Sequence, residues 1–472
     1  MSGPRALVLL SLALVAFRLA SAALVVVQPG FTDAFYYASV ARRLAHGDGL
    51  TADFVWNFIE APNFAPLPVP SHRFWMPLTS VVQAVGIVAL EPALGTFRAA
   101  QAAIVAVGAF VPAAAYLAAR AIGGSSRAAL VGTLFFVAFA RAAVGDVRGG
   151  ALGGLCVGLL FLARAEGALF GVALLWLAAR AGSRRAGLAG SLVALAIGGA
   201  WLARGVSLGA SPDLMGRTAL LARYEDFFAI RPTGTADLAT AVGVRVAALA
   251  SDLGLVVISL VLFLVVPLAL ALRARWRLPA VRAFAGLALL LYLVESLVWT
   301  LHATRGSYFH SLAALFPFAM ALAAVGGEIF FAARAPGLAR VAVAGTLGAS
   351  SILALFALAL WGSTYNASYK ARSAALDAIP PGPFLAIDAA AWRWIADRPV
   401  VVTPADGPDV ASCAAARYGV RSVVLEPAHF SSYDDLYRGG SLPWLGPPTD
   451  RDGIRVYPIR GQLGCSILEG RG

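Results

Sequence analysis

Long apolar runs are the feature that most constrains how this chain can fold. A helix needs about 20 apolar residues to cross the hydrocarbon core of a bilayer, where backbone polar groups must be bonded within the protein. The chain of 472 residues is 60% hydrophobic and only 13% charged. The pattern predicts a polytopic α-helical membrane protein with about 9–11 transmembrane or re-entrant helices. The apolar runs cover about 6–27, 77–90, 98–120, 127–143, 150–163, 168–180, 186–207, 252–272, 282–301, 308–331 and 341–361.

Arginine clusters predict the orientation of these helices, because basic residues are enriched in cytoplasmic loops. With every cluster inside, the N-terminus is cytoplasmic, and the loop 28–76, the stretch 208–250 and everything after Trp361 lie outside. The turns near Asp146 and at 302–307 are outside as well. The clusters are Arg120 with Arg127; Arg180, Arg184 and Arg185; Arg273, Arg275, Arg277 and Arg282; and Arg334 with Arg340.

Some of the apolar runs are too short for a full crossing. We interpret 77–90 as re-entrant or interfacial and 150–180 as one broken span. Hydrophobicity resumes after Arg18 and continues to Val27, which favours an uncleaved first transmembrane helix over a secretory signal peptide.

Charge and cysteine content exclude some classes of protein. The net charge is +12, and the sequence shows no basic stripe with interleaved aromatic residues. The basic residues therefore fit cytoplasmic loops, and no nucleic-acid partner is predicted. Three cysteines are too few for a disulfide framework or a Cys-based metal site. Cys413 and Cys465 both lie in the polar C-terminal region and can pair if that region is extracytoplasmic.

The C-terminal residues 362–472 differ in character from the preceding residues 1–361. Short β-type runs alternate with short helical patterns, which predicts a small extracytoplasmic α/β domain after a transmembrane domain. The predicted strands are Phe384–Asp388, Val400–Thr403, Ser422–Leu425 and Gly453–Ile459, and the predicted helices are Ala389–Asp397 and Pro408–Tyr418.

One carboxylate stands where the first apolar run ends and the first polar loop begins. Asp33, in Thr-Asp-Ala-Phe-Tyr-Tyr, is placed to stay ionised and yet to meet a lipid headgroup. That position suits a general base acting on a lipid-borne substrate. A simpler interpretation makes Asp33 the N-cap of a helix over 34–45, and the two roles are compatible.

The loop 28–76 is rich in aromatic residues and proline, which predicts a folded cap on the membrane surface. Its candidate substrate-binding residues are Tyr36, Tyr37, Glu60 and His72. Interfacial belt placement is the alternative interpretation of the two tyrosines.

Asp146 and Arg148 occupy the next predicted outer turn, in Gly-Asp-Val-Arg. They are interpreted either as an ordinary solvated turn or as a second catalytic acid facing Asp33 with a phosphate-binding arginine. Arg164 and Glu166 interrupt the 150–180 segment, and ionisable residues inside membrane segments suggest function.

The segment 302–311 is the second signal for a site. Arg305, Tyr308 and His310 converge at the predicted outer boundary, where cationic and polar donors suit a lipid phosphate. The alternative is snorkelling of these side chains toward the interface.

Taken together, these segments resemble the GT-C superfamily of membrane glycosyltransferases, which use polyprenyl-phosphate sugars. Protein O-mannosyltransferases and lipid A aminoarabinose transferases are relatives. The resemblance spans about the first 330 residues. The matching segments are Asp-Ala-Phe-Tyr-Tyr at Asp33, Ala-Arg-Arg-Leu-Ala-His-Gly-Asp-Gly after it, His-Arg-Phe-Trp-Met-Pro-Leu from His72, and Leu-Ala-Arg-Ala-Glu-Gly around Arg164.

The resemblance implies that Asp33 deprotonates the acceptor hydroxyl and that Phe35, Tyr36 and Tyr37 pack the loop around it. Asp146 stands roughly where relatives carry a second acidic residue. No cofactor is implied with certainty, and a divalent cation is left open, because a single aspartate replaces an acidic pair.

The sequence thus predicts an inverting hexosyl- or pentosyltransferase in the bacterial cytoplasmic membrane. Its partners would be a polyprenyl-phosphate sugar donor, membrane lipid, and a glycan, lipid or protein acceptor. The alternatives are a transporter or flippase of a lipid-linked or polar solute, and a non-catalytic membrane scaffold. A transporter is expected to carry polar residues near the bilayer midplane and paired broken helices.

Overall fold

The computed structural model describes residues 3–73, 75–109, 146–209, 224–231, 237–260, 264–334 and 338–465. The predicted run 127–143 and the first arginine cluster lie outside these residues. The chain divides into two compact units. The helical unit comprises Met1–Ser21, Ile104–Ala210 and Leu238–Ala357, and the sheet unit comprises Ala22–Ala103, Ser211–Asp237 and Leu358–Gly472.

Helices dominate the described chain. In chain order they are α1 Gly3–Leu24, α2 Thr32–Ala45, α3 Leu78–Leu94, α4 Thr96–Ala109, α5 Val147–Ala163, α6 Leu169–Arg180, α7 Arg184–Ser207, α8 Leu238–Ser259, α9 Val265–Arg275, α10 Pro279–Leu297, α11 Thr300–Ala303, α12 Ser307–Arg334, α13 Leu338–Trp361, α14 Ala367–Ala375, α15 Ala389–Ala396, α16 Pro408–Tyr418 and α17 Asp434–Tyr437. The strands are β1 Thr51–Ala52, β2 Phe54–Val55, β3 Val69–Pro70, β4 Phe384–Ala386, β5 Val400–Val402, β6 Ser422–Leu425, β7 Thr449–Arg451 and β8 Ile454–Pro458.

Within the described residues, 5 helical segments are long and apolar enough to cross a membrane, judged by length and composition. The chain is therefore a helical membrane protein of the multi-pass type. The total number of crossings stays a prediction. The segments are Arg184–Ser207, Leu238–Ser259, Pro279–Leu297, Ser307–Phe331 and Ala344–Ala378.

The helices α5 and α6 form an antiparallel pair, so the prediction of one broken span over 150–180 is wrong. A Cβ added at Gly153 would lie 2.7 Å from Leu174, whereas one added at Gly171 would lie 3.6 Å from Val157. Contacts thus move backward along α6 as they move forward along α5. The chain reverses because Arg164 takes up extended backbone after α5 and Gly167 packs on the backbone of Leu160.

The helix α7 returns parallel to α5 at very short range. Gly150 faces Ala186, and Gly154 faces Gly190, so closely that an added Cβ at either α5 glycine would overlap a backbone carbonyl oxygen. Small residues at a spacing of four allow this approach, as is common in membrane helix pairs.

This arrangement corrects the predicted side of Asp146. Because α5 and α7 are parallel and Gly150 meets Ala186, Asp146 lies at the same end of the helical unit as Arg184. The sequence interpretation had put Asp146 on the side opposite that cluster. Arg282 lies 5.9 Å from the Trp176 ring centroid, so the second and third arginine clusters do share one end of the unit, as predicted.

The helix α8 begins at Leu238, inside the stretch 208–250 that was predicted to lie outside. The predicted run 252–272 is divided, because α8 ends at Ser259 and α9 starts at Val265. The charged Arg245 lowers the hydropathy of the first part of α8, so hydropathy alone does not indicate where this helix begins. Its guanidinium donates to the carbonyls of Ala241 and Leu297, which allows a charge within an otherwise apolar segment.

The sheet unit contains a six-stranded sheet with the order β2-β5-β4-β6-β8-β7. Its first four strands are parallel, and β8 and β7 pair antiparallel. The strands and helices predicted between 384 and 459 are confirmed to within two residues at each end. The sequence did not indicate the edge strand β2, which comes from the first loop and pairs Phe54 with Val400.

A disulfide joins Cys413 in α16 to Cys465 in the C-terminal tail, as the sequence allowed. Beside it, the Ser412 hydroxyl donates to the carbonyl of Gly464 over 3.0 Å. The tail is thereby fixed against α16.

Candidate active site

Asp33 is the second residue of α2, which begins at Thr32, two residues earlier than the N-cap interpretation requires. The N-cap residue is Phe31, with extended backbone, and no side chain caps the helix. The predicted N-cap role is therefore wrong. A half-buried carboxylate in the first helical turn is favoured by the positive end of the helix dipole.

The turn before α2 fixes where the helix starts. Gly30 has φ +103°, and a Cβ there would lie 2.7 Å from the Trp361 ring, so only glycine fits without strain. The Gly30 N–H donates to the side-chain oxygen of Gln28 over 2.6 Å. The Gln28 amide in turn reaches Asn366 over 3.3 Å, and Asn366 donates to the carbonyl of Val25.

A buried carboxylate supports α2 from within the first loop. Glu60, only 1% exposed, accepts from the Tyr36 hydroxyl at 3.1 Å and from the Trp56 indole at 2.8 Å. Burial, with the nearby Glu60 charge, raises the pKa of Tyr36 well above its ordinary value. Tyr36 therefore stays protonated and keeps its hydroxyl as a donor to Glu60.

His72 completes this support. Its backbone N–H donates to the Tyr36 hydroxyl oxygen over 2.7 Å, and its Nε2 lies 3.0 Å from the Ser80 hydroxyl. The Ser80 hydroxyl also lies 3.0 Å from the Tyr37 carbonyl. The His72 ring stacks on Tyr37 with centroids 5.9 Å apart.

The structure thus brings together the loop residues that the sequence singled out. Tyr36, Glu60 and His72 are buried, and Tyr36 is hydrogen-bonded to both of the others, whereas Asp33 and Tyr37 are half-buried. Asp33 and Tyr37 are four residues apart on α2 and share one face of the helix. Tyr36, Glu60 and His72 thus form a rigid support, whereas Asp33 and Tyr37 remain partly exposed to solvent.

A second polar cluster lies within the helical unit, at the end opposite Arg184. Ser307 connects its members: Arg164 donates to the Ser307 hydroxyl oxygen over 2.5 Å, and the Ser307 hydroxyl lies 3.1 Å from Glu295. Glu295 is fully buried and also accepts from Ser311 over 2.6 Å. Arg164 and Glu166 form an ion pair of 3.3 Å in the turn between α5 and α6.

The residues predicted to bind the lipid phosphate lie close to this cluster in the sequence, but they differ in exposure. Arg305 and His310 are exposed, whereas Tyr308 is 1% exposed and packs 6.1 Å from the Tyr292 ring. Burial lowers the pKa of neighbouring His302 to about 4, so His302 is neutral at physiological pH.

Asp146 and Arg148 have a local structural role. Asp146 is the N-cap of α5 and accepts from the backbone N–H of Arg148 over 3.0 Å. Arg148 is exposed.

The sequence interpretation missed two buried acids in the helical unit. Glu295 lies in α10, and Asp252 in α8 accepts from the Ser296 hydroxyl over 2.7 Å. Each is 1% exposed or less. The signal that would have found them is an acidic residue within an apolar run.

Metal chemistry finds no support in the residues described. Among them, no group of three or more His, Cys, Asp or Glu side chains is placed to hold a metal ion. The divalent cation left open by the resemblance therefore has no ligand set among the described residues.

No protein-family model and no curated protein matches this chain. Of the predicted site residues, Asp33, Tyr36, Tyr37, Glu60 and His72 belong to the sheet unit, and Asp146, Arg148, Arg305, Tyr308 and His310 belong to the helical unit.

Proposed function

We propose that this protein transfers a sugar from a polyprenyl-phosphate donor to an acceptor hydroxyl at the outer face of a bacterial cytoplasmic membrane. Asp33 is the general base in this proposal. We also propose that about the first 330 residues belong to the GT-C superfamily that they resemble.

The observation that carries the proposal is the construction around Asp33. Asp33 is half-buried, lies in the loop after the first apolar helix, and stands on a helix held by the buried Tyr36–Glu60–His72 network. A catalytic base needs this combination of an accessible carboxylate and a fixed geometry. An exposed aspartate in a loop without such support would not indicate a catalytic role.

Two further observations agree with the proposed location and substrate. The disulfide between Cys413 and Cys465 suits an oxidising compartment, which supports an extracytoplasmic position for residues 362–472. Arg305, just before the helix α12, and His310, in its first turn, are exposed, and donors of this kind suit a lipid phosphate.

The chemistry is a single displacement. The acceptor oxygen attacks the anomeric carbon while its proton passes to the Asp33 carboxylate. The bond between that carbon and the donor phosphate oxygen breaks, and the lipid phosphate leaves with the electron pair. Cationic donors stabilise the departing charge, and one displacement inverts the anomeric centre.

The test is glycan and glycolipid profiling of a deletion strain. We expect one glycosylated product to disappear and its sugar donor to accumulate. Re-expression of the intact chain should restore the product. An unchanged profile of glycans and glycolipids would contradict the proposal.

A transporter is the second candidate, and one observation favours it. Glu295 and Asp252 are buried acids within membrane-spanning helices, where such residues often mark ion or substrate paths. Both, however, are bonded to serine hydroxyls. A transporter predicts that deletion leaves a lipid-linked sugar trapped on the cytoplasmic side, which leaflet-specific labelling of the donor detects.

A further inference from the structure

The C-terminal half of the sheet unit is bonded directly to the helix that carries Asp33. The guanidinium of Arg42, on α2, lies 3.0 Å from the carboxylate of Asp397, which ends α15. Arg42 also lies 5.2 Å from the centroid of the Trp394 ring. Residues more than 350 positions apart in the chain therefore meet on one side of α2.

Arg393 is the centre of this contact. Its side chain, 10% exposed, bonds Asp397 at 2.6 Å with one nitrogen and Asp53 at 2.6 Å with the other. Asp53 also lies 3.4 Å from Arg43 on α2. One buried guanidinium thus joins the sheet to the first loop and, through Asp53 and Asp397, to both arginines of α2.

The apolar side of α2 makes the same connection. Phe35, Tyr36 and Val40 belong to one buried core with Trp392 of α15 and Val401 of β5. The strand β2, which follows α2 in the chain, pairs with β5. The helix α2 is therefore part of the same core as the sheet, although β4 and β5 lie more than 300 residues later in the sequence.

We propose that the sheet positions the Asp33 carboxylate by holding α2 in place, with Arg393 and Asp397 as positioning residues. This inference rests on the proposed function of Asp33. Arg42 follows Asp33 by nine residues, a distance of about 14 Å along the helix. Gly30 and Trp361 fix the beginning of α2, and the arginine–aspartate contacts fix its end. Neither Arg393 nor Asp397 needs to touch substrate.

The experiment measures hydrogen exchange and product formation in the full-length protein. Amide exchange of residues 35–45 reports on α2, and exchange of β4–β6 reports on the sheet. The variants are Asp397→Asn and Arg393→Gln. Asp450→Asn is the matched control, because Asp450 is an exposed aspartate paired with Arg455 on the same sheet and away from α2. Asparagine also tolerates the left-handed backbone of Asp397, φ 51°.

We expect exchange in α2 to rise roughly two- to fivefold in Asp397→Asn, as for an exposed ion pair. In Arg393→Gln the rise should be at least about tenfold, because two carboxylates lose a buried partner. Exchange in the sheet strands should stay unchanged in Asp397→Asn. Product formation should fall in both variants, and it should fall further in Arg393→Gln than in Asp397→Asn. Asp450→Asn should change neither readout.

Two results would overturn the inference: α2 exchange that does not respond to Arg393→Gln, or full product formation despite faster exchange. An Asp33→Asn variant with full product would instead overturn the proposed base. The exchange result stands independently of that outcome, so the two failures are distinguishable.

Discussion

Several carboxylates of the sheet unit are paired with arginines, whereas Glu295 of the helical unit is held by serine hydroxyls. In the sheet unit, Arg372 bonds both Asp388 and Glu426 at 2.9 Å, and Arg393 bonds both Asp53 and Asp397. In the helical unit, the fully buried Glu295 is bonded to the hydroxyls of Ser307 and Ser311.

This difference concerns how costly each carboxylate is to disturb. A carboxylate paired with a buried guanidinium is costly to disturb and is suited to fixing one geometry. A carboxylate held by hydroxyls can be replaced by an amide of the same shape with much smaller loss. Variants of each kind therefore test whether the distinction is real.

The largest expected effect is in the sheet unit. Arg372→Met leaves Asp388 and Glu426 buried without their cation, which should lower the free energy of unfolding by about 3–5 kcal/mol. Chemical denaturation in detergent, followed by tryptophan fluorescence, measures this loss. A loss below about 1 kcal/mol would show that the two carboxylates are effectively solvated.

The packing of α5 on α7 gives the next effect. Gly154→Leu should destabilise the helical unit by about 3 kcal/mol, because the side chain would overlap the Gly190 backbone. Gly199→Ala is the control, since a Cβ at Gly199 on α7 meets nothing within 4 Å. Thermal unfolding in detergent should separate the two variants. Equal stability of both variants would contradict the close contact of these helices.

The pH dependence of the helical unit follows from His302. Its folded pKa is lowered to about 4 by burial, below the ordinary value of about 6.5, so the unfolded state takes up the proton first. Stability should therefore fall as pH decreases from about 6.5 toward 4, by about 3 kcal/mol. His302→Gln should flatten this part of the pH profile measured by thermal unfolding. An identical profile in the variant would assign the dependence to other groups.

The smallest expected effect is Glu295→Gln. The amide can keep hydrogen bonds with Ser307 and Ser311, so we expect a loss of about 1 kcal/mol or less. Denaturation under the conditions used for Arg372→Met makes the comparison direct. A loss as large as that of Arg372→Met would show that Glu295 is as costly to disturb as the carboxylates paired with arginine.

The sequence was informative about local structure in the sheet unit. Short apolar runs such as Val400 to Val402, and the Pro and Gly that bound α16, determine short elements by nearby interactions, and these predictions are confirmed. The pairing of β2 with β5 could not be predicted, because it joins Phe54 to Val400 through long-range packing that no local pattern encodes.

The helical unit was harder to predict. Hydropathy does not report the direction of a helix, so Arg164 and Glu166 were taken as a break in one span instead of a turn between antiparallel helices. The start of α8 was missed because Arg245 finds its bonding partners only in the folded protein. For the candidate site, the sequence predicts that Tyr36, Glu60 and His72 bind substrate, which stays a prediction, and it gave no sign that all three are buried.

The most direct test of the central claim is re-expression of Asp33→Asn in the deletion strain, next to the intact chain and Asp48→Asn. Asp48 is an exposed aspartate of the same loop, paired with Arg43 at 3.5 Å. We predict that Asp33→Asn inserts normally but forms no product, because an amide cannot accept the acceptor's proton, whereas Asp48→Asn restores the product. Restoration of the full product by Asp33→Asn would contradict the account.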